Sequence, residues 1–259
     1  MENIQAISEN EFVVTNNVGA TIADAAGVAP ARHVIATDCD EVLVNITDKW
    51  IMKCLAHREL RDYFSDGHLK FTQKNALLRD TYYVHDWLGV EDPAHRDLIQ
   101  SLYFDDEFFY DDLRPASYLQ SLLRCTDVVS DIHVITSCGP TDSNPATSSK
   151  RRFLEQHLVN AVPTSTKVHL HFLPTHVKKG AYMAAQGIRF SSYADDLPSH
   201  LVEVAQTALT RNFELMMPGC GYNILADREL AQICNERNAR FVVFGNSPAQ
   251  TQWLESLAT

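Results

Sequence analysis

Short apolar runs rich in β-branched residues recur along the chain, and segments with helical spacing separate them. The first clear run, His33–Thr37, has the length and composition of a buried strand. Further strands are predicted at 132–135, 167–172, 190–194, 213–217 and 241–244, and helices at 148–159, 179–186 and 228–238. Strands that alternate with helices indicate an α/β fold, a Rossmann-like doubly wound parallel sheet covered on both faces.

One long segment departs from this alternation. Residues 46–126 have apolar positions at helical spacing, punctuated by Gly and Pro, which predicts one helix after another. A connection of about 80 residues is too long for a loop between strands. We therefore expect a helical cap inserted into an α/β core formed by 31–45 and 127–259. Residues 1–30 lack sustained periodicity, and we expect them to be a flexible N-terminal extension.

Composition narrows the classes of function. The chain has 259 residues and a net charge of -11, which argues against binding a nucleic-acid polymer, since that requires clustered Lys and Arg. The negative net charge is compatible with a small anionic substrate, because a metal and a few local cations can reverse the electrostatic field inside one cleft. No secretory signal and no apolar stretch of roughly 18 residues is visible, so we expect a cytoplasmic protein without a membrane span. The six cysteines form no CxxC pair, which argues against a zinc ribbon.

Two carboxylates, Asp38 and Asp40, follow the first predicted strand directly. In an open parallel sheet, ligands bind beyond the carboxyl ends of the strands. Two acidic side chains at that point would repel each other unless a divalent cation neutralised them. One carboxylate would then be available to attack phosphorus, and the other to carry a proton. The alternative for such a short acidic run is an ordinary surface turn.

Other polar residues stand at the ends of neighbouring predicted elements. Thr136 and Ser137 follow the second strand, where hydroxyl and backbone N–H groups can hold a phosphoryl oxygen. Lys178 and Lys179 stand at a helix start, where a cation could bind phosphate or a carboxylate cluster. Considered singly, Thr136 and Ser137 fit an ordinary βα turn equally well, and a solvated lysine pair is the commoner explanation for Lys178 and Lys179.

A second acidic pair, Asp195 and Asp196, ends the strand predicted at 190–194. Asp pairs are common in turns, but acidic pairs at two strand ends of one α/β sheet are not. Oxygen ligands without a Cys or His cluster favour Mg²⁺ over zinc. The pair therefore strengthens the hypothesis of a metal-assisted reaction at this edge of the sheet.

Four segments resemble, in this order, the four motifs of the haloacid dehalogenase superfamily over about residues 33–200: VIATDCDEVLV, HVITS, a lysine and SYADD. By that resemblance Asp38 is the nucleophile that forms an aspartyl-phosphate. Asp40 is the general acid and then the base, and it also lends its backbone carbonyl to Mg²⁺. Thr136, with Ser137 beside it, matches the hydroxyl of the second motif.

The same resemblance assigns the remaining positions. Either Lys178 or Lys179 is the lysine of the third motif, with Lys179 favoured. Asp195 and Asp196 complete the magnesium site. The implied metal ligands are thus Asp38, Asp40, Asp195 and Asp196. Within this superfamily, a second Asp at the position of Asp40 implies phosphate transfer, because the dehalogenases lack a carboxylate there and the transport ATPases have Thr.

The resemblance implies a phosphatase whose cap encloses a small phosphorylated metabolite. The sequence departs from the family's first motif at two positions: Glu41 stands where the family most commonly has Gly, and Val42 where Thr is common. Aromatic residues of the predicted cap could stack a nucleobase, and the Tyr222-Asn223 turn resembles one in the 5'(3')-deoxyribonucleotidase branch. Nucleoside monophosphates are therefore the expected substrates. A sugar-phosphate or other small-metabolite phosphatase, and a non-catalytic binding protein, are the alternatives. Monomer and homodimer both stay open.

Overall fold

A computed structural model describes residues 4–8, 11–14, 32–64, 81–139, 144–223, 227–248 and 250–252. The strands are β1 (Ile4–Ser8), β2 (Glu11–Val14), β3 (His33–Thr37), β4 (Val129–Ser137), β5 (Lys167–Leu173), β6 (Ser192–Ala194), β7 (Glu214–Pro218) and β8 (Arg240–Phe244). They form one sheet in the order β1-β2-β8-β7-β6-β3-β4-β5. The six strands from β8 to β5 are parallel, which confirms the predicted α/β fold.

The described helices lie between and beside these strands. They are α1 (Thr47–Ala56), α2 (Val84–Trp87), α3 (Pro93–Phe104), α4 (Ser117–Arg124), α5 (Pro145–Leu154), α6 (Lys179–Ala185), α7 (Pro198–Thr207) and α8 (Asp227–Arg237). Short 3-10 helices span Arg58–Phe64 and Thr126–Val128, and a π-helical turn, Glu155–Val159, continues α5. In the described part of the chain, no helix combines the length and hydropathy needed to cross a bilayer.

Alternating side chains of the central strands separate two buried clusters. Ile132 and Val134 of β4 belong to a cluster with Trp50 of α1 and the apolar residues of α3, α4 and α5. Ile135 faces the opposite side, with Met183 of α6 and residues of α7 and α8. Since successive side chains of a strand point to opposite faces, the sheet is covered on both sides, as a doubly wound fold requires.

The predicted cap, residues 46–126, contains α1 to α4. Its buried side chains are continuous with those of β4 and α5, so these helices pack directly onto one face of the sheet. Residues 65–80 of this segment lie outside the described residues. The boundary between cap and core stays a prediction.

Three of the described elements, two strands and a helix, are not predicted from the sequence. Strands β1 and β2 lie within the predicted N-terminal extension. They pair with each other antiparallel, and β2 also pairs antiparallel with β8. Residues 1–3, 9–10 and 15–31 lie outside the described residues. Helix α7 follows the second acidic pair and buries Leu201 and Val204. The strand predicted at 190–194 is shorter than expected, because only Ser192–Ala194 pairs with its neighbours.

Candidate active site

The carboxylate of Asp38 lies immediately beyond the carboxyl end of β3. Its backbone N–H donates to the carbonyl of Ala194 at 2.7 Å, which joins the ends of β3 and β6. Its Oδ1 accepts a hydrogen bond from the Cys39 N–H at 2.7 Å, and its Oδ2 lies 2.7 Å from the Lys179 ammonium. The side chain is buried, at 6% exposure. A carboxylate held at both oxygens in this way has a fixed orientation.

Asp195 and Asp196 follow β6 and lie against Asp38. Each of the three carboxylates offers one oxygen, and these oxygens lie within 4.8 Å of one another. Asp195 accepts from the Lys179 ammonium at 2.7 Å and from the Tyr193 hydroxyl at 2.5 Å. Asp196 accepts from the Tyr222 hydroxyl. The parallel neighbours β3 and β6 thus bring the two acidic pairs to one edge of the sheet.

Lys179 owes its position to close packing between α6 and α7. It is the first residue of α6, and the next residue is Gly180. A Cβ on Gly180 would lie 2.8 Å from the backbone oxygen of Glu203, so only glycine lets the two helices approach this closely. This packing holds the ammonium between Asp38 and Asp195. Burial alone would lower the pKa of Lys179, but these two carboxylates raise it above its ordinary value.

The acidic cluster carries more negative charge than Lys179 can neutralise. Burial raises the pKa of Asp38, an effect that Lys179 opposes and Asp195 reinforces. Burial, followed by the charges of Asp195 and Asp38, raises the pKa of Asp196 well above its ordinary value. Burial would also raise the pKa of Asp195, but Lys179 and His200 hold it below its usual range. Three hard oxygen donors with excess negative charge fit a divalent cation such as Mg²⁺.

The side chain of Asp40 is engaged by a different set of groups. Its Oδ2 accepts from the Tyr103 hydroxyl at 2.7 Å and from the Lys150 ammonium at 2.8 Å, and its Oδ1 accepts from the Tyr110 hydroxyl at 2.6 Å. Tyr103 and Tyr110 belong to the predicted cap, whereas Lys150 lies on α5. The carboxylate that the resemblance makes the acid/base is therefore held from both the cap and the core.

Thr136 and Ser137, at the end of β4, are connected to Asp40 through Lys150. The Lys150 ammonium lies 3.2 Å from the Thr136 hydroxyl oxygen and donates to the Ser137 carbonyl at 2.7 Å. Beyond them the chain turns at Gly139, whose φ is 89°. A Cβ there would lie 1.9 Å from the Asn144 side-chain nitrogen, so the turn requires glycine.

Comparison with known proteins gives distant likenesses only. No protein-family model matches the chain, and neither does any curated protein. A haloacid dehalogenase-like hydrolase from Streptococcus pneumoniae aligns with 88% of this chain and 99% of its own, at 12% identity and a TM-score of 0.47. A candidate phosphatase from Clostridium difficile has the same coverages, 12% identity and a TM-score of 0.46. For a haloacid dehalogenase-like hydrolase from Xanthomonas campestris the values are 88%, 96%, 11% and 0.43.

Most of the residues singled out in the sequence come together at this edge of the sheet. Asp38, Asp195 and Asp196 form the acidic cluster, and Lys179 is bonded to the first two. Lys178, the alternative lysine, is exposed and precedes the first residue of α6. The two lysines therefore differ in placement, with Lys179 alone of the pair in the cluster.

Several residues of the site were not singled out in the sequence. Lys150 is buried at 1% exposure, yet it stands in the run SSKRRF, which is typical of a solvated helix face. Tyr103 and Tyr110 share the helical and turn spacing of ordinary core aromatics. The Tyr222-Asn223 turn does stand out in the sequence, but its contacts do not: the Tyr222 hydroxyl donates to Asp196, and the Asn223 side chain donates to the Asp196 carbonyl at 2.8 Å, so this turn braces the acidic pair.

Glu41 has a left-handed backbone, with φ of 57°. Such a conformation is disfavoured for any residue except glycine. The Glu41 side chain compensates by capping α1: its Oε1 accepts from the N–H groups of Ile46 and Thr47 at 3.0 and 2.8 Å and from the Thr47 hydroxyl at 2.7 Å. The turn after Asp40 therefore keeps a conformation suited to glycine while carrying a carboxylate.

Proposed function

We propose that this chain is a magnesium-dependent phosphatase of the haloacid dehalogenase type, which hydrolyses phosphomonoesters through an aspartyl-phosphate on Asp38. The observation that supports this best is the buried Asp38 carboxylate, ion-paired with Lys179 and clustered with the oxygens of Asp195 and Asp196 within 4.8 Å. A purely structural role explains this arrangement poorly, because burying several like charges lowers the stability of the fold. Such a loss of stability is expected where the charges serve a function.

In the first half of the reaction, an Asp38 oxygen attacks phosphorus and the bond from phosphorus to the leaving oxygen breaks. Asp40 gives that oxygen its proton. In the second half, Asp40 takes a proton from water, the water oxygen bonds to phosphorus, and the bond to Asp38 breaks to release inorganic phosphate. Lys179 offsets negative charge beside the nucleophile throughout. Mg²⁺ held by the acidic cluster of Asp38, Asp195 and Asp196, together with the Asp40 carbonyl, would neutralise charge on the phosphoryl oxygens.

Nucleoside monophosphates are the substrates that we favour. Tyr82, from the predicted cap, lies with its ring centroid 5.8 Å from that of Tyr222, whose hydroxyl reaches Asp196. An aromatic side chain beside the phosphate end of a cleft could stack a base, at about 1–3 kcal/mol per base. A sugar phosphate is the second candidate and would gain nothing from this ring.

Hydrolysis of para-nitrophenyl phosphate with and without Mg²⁺ tests the reaction. We expect activity that EDTA abolishes and Mg²⁺ restores, and Asp38→Asn should lower it by at least about a thousandfold, because an amide of the same shape cannot attack. Asp127→Asn is the matched control, since Asp127 is exposed and precedes β4 at the opposite end from the acidic cluster. A binding protein would show no turnover in the wild type. An Asp38→Asn variant with more than about a tenth of the wild-type rate would contradict the nucleophile assignment.

Substrate class is tested separately, by comparing kcat/KM for nucleoside 5'- and 3'-monophosphates with that for sugar phosphates. We expect nucleotides to be favoured at least about tenfold, in line with one stacked base. Tyr82→Leu should remove that margin by lowering kcat/KM for nucleotides, and it should leave kcat/KM for sugar phosphates unchanged. A preference for sugar phosphates would leave the reaction intact and overturn the substrate assignment only.

A further inference from the structure

The Asp40 carboxylate is held by three buried donors. Tyr103, Tyr110 and Lys150 are 4%, 0% and 1% exposed, and all three lie within 2.6 to 2.8 Å of an Asp40 oxygen. The two hydroxyl oxygens are also 2.6 Å apart. Burial, followed by the charge of Asp40, raises the pKa of each tyrosine well above its ordinary value, so both keep their hydroxyl protons.

Lys150 is fully occupied by these contacts. An ammonium has three N–H groups, and the Lys150 nitrogen lies within hydrogen-bond distance of three acceptors: Asp40 Oδ2, Thr136 Oγ1 and the Ser137 carbonyl. A lysine so arranged has no donor left for a phosphoryl oxygen. Its position indicates that it orients Asp40 relative to the end of β4.

The donors leave one side of the carboxylate available. A carboxylate has about four acceptor positions, and among the described residues Oδ2 accepts two hydrogen bonds and Oδ1 accepts one, from Tyr110. The remaining position is therefore on Oδ1. Because three contacts fix the plane of the group, this position has a defined direction relative to the ring of Tyr110.

We propose that Tyr103, Tyr110 and Lys150 are positioning residues that aim Oδ1 of Asp40 at the leaving oxygen of the substrate. Two of the three donors come from the predicted cap, so the acid/base is in its working orientation only when cap and core are packed together. This proposal rests on the proposed function and deepens it. It predicts that loss of a donor weakens proton delivery, with the nucleophile and the acidic cluster unaffected.

The dependence on the leaving group distinguishes this role from a structural one. The ratio kcat/KM reports on the steps up to and including departure of the leaving group. A 2,4-dinitrophenolate can leave without a proton, whereas an alkoxide needs a proton from the general acid in order to leave. For Tyr110→Phe and Tyr103→Phe we expect kcat/KM to fall about tenfold or more for glycerol phosphate, within the range of a general-acid contribution. For 2,4-dinitrophenyl phosphate it should change less than about twofold.

Tyr63→Phe is the matched control, because it also removes a hydrogen-bonded hydroxyl from the predicted cap, a half-buried one that contacts His95 Nδ1 at 2.8 Å and not Asp40. It should leave both substrates unaffected. Lys150→Met should show the same leaving-group selectivity, and Lys150→Arg should recover part of the loss. Equal losses on the two esters, or the same selectivity in Tyr63→Phe, would overturn the proposal. A wild type inactive on both esters would instead refute the proposed function from which it starts.

Discussion

The turn after Asp40 provides a sharp test of how the local structure of the site is stabilised. Glu41 combines an unfavourable left-handed backbone with a side chain that caps α1 through three hydrogen bonds at one oxygen. Replacing it separates the two effects. Glu41→Ala removes the cap and keeps the strain, whereas Glu41→Gly removes both. Glu41→Gln retains an acceptor oxygen of similar shape.

The expected magnitudes follow from these contacts. Loss of an N-terminal cap costs about 1 kcal/mol, and buried donors left without a partner cost about 1–3 kcal/mol. Glu41→Ala should therefore lower the free energy of unfolding by about 2–4 kcal/mol. Glycine relieves about 1–2 kcal/mol of left-handed strain, but its flexibility in the unfolded chain takes back about 0.4–1 kcal/mol. Glu41→Gly should thus be less destabilising than Glu41→Ala, by about 0.8 kcal/mol at the centre of these ranges and by about 1.6 kcal/mol at most.

Urea denaturation of the four proteins at neutral pH measures these differences as shifts in midpoint at constant m-value. We expect the order of stability to be wild type, then Glu41→Gln, then Glu41→Gly, then Glu41→Ala. If the alanine variant is as stable as the glycine variant or more stable, the backbone is not strained at this position. If the glutamine variant is as unstable as the alanine variant, the capping contacts contribute little.

Further predictions concern metal, pH and the loop beside the site. Asp196→Asn removes one of the crowded carboxylates, so without metal it should be more stable than the wild type, while Mg²⁺ should raise its melting temperature less; calorimetry with and without Mg²⁺ checks both. Burial, then His169 and His171, lower the pKa of His133 to about 4, below the ordinary value. His133 therefore binds a proton more tightly in the unfolded chain than in the folded protein, and the free energy of unfolding falls as the pH drops from about 6.5 toward 4. In urea titrations at stepped pH, His133→Gln should make that decline less steep. The Asn246 side chain donates to two carbonyls of the loop after Asp40, each at 2.7 Å. Asn246→Ala should cost about 2 kcal/mol or more in unfolding free energy, and a midpoint equal to that of the wild type would contradict this.

The sequence alone determined the six parallel strands of the sheet and the residues at their carboxyl ends, but not β1 and β2. Runs such as His33–Thr37 have the length and the β-branched content that favour a strand, and their alternation with helices indicates parallel pairing. Parallel strands present their carboxyl ends at one edge, so Asp38 and Asp196 were expected to be near each other. The close placement of their oxygens agrees with this expectation.

Only the tertiary structure decided which side chains complete the site. Lys150 lies in the middle of α5 and Lys178 directly precedes α6, and one is buried against Asp40 whereas the other is exposed. Sequence pattern cannot separate them, because burial depends on which elements pack over a position. Tyr103 and Tyr110 have the spacing of core aromatics, and a hydroxyl bonded to a carboxylate leaves no trace in hydrophobic periodicity. Periodicity records which face of an element is apolar, and the contacts of a polar atom are set by the partner that long-range packing brings to it.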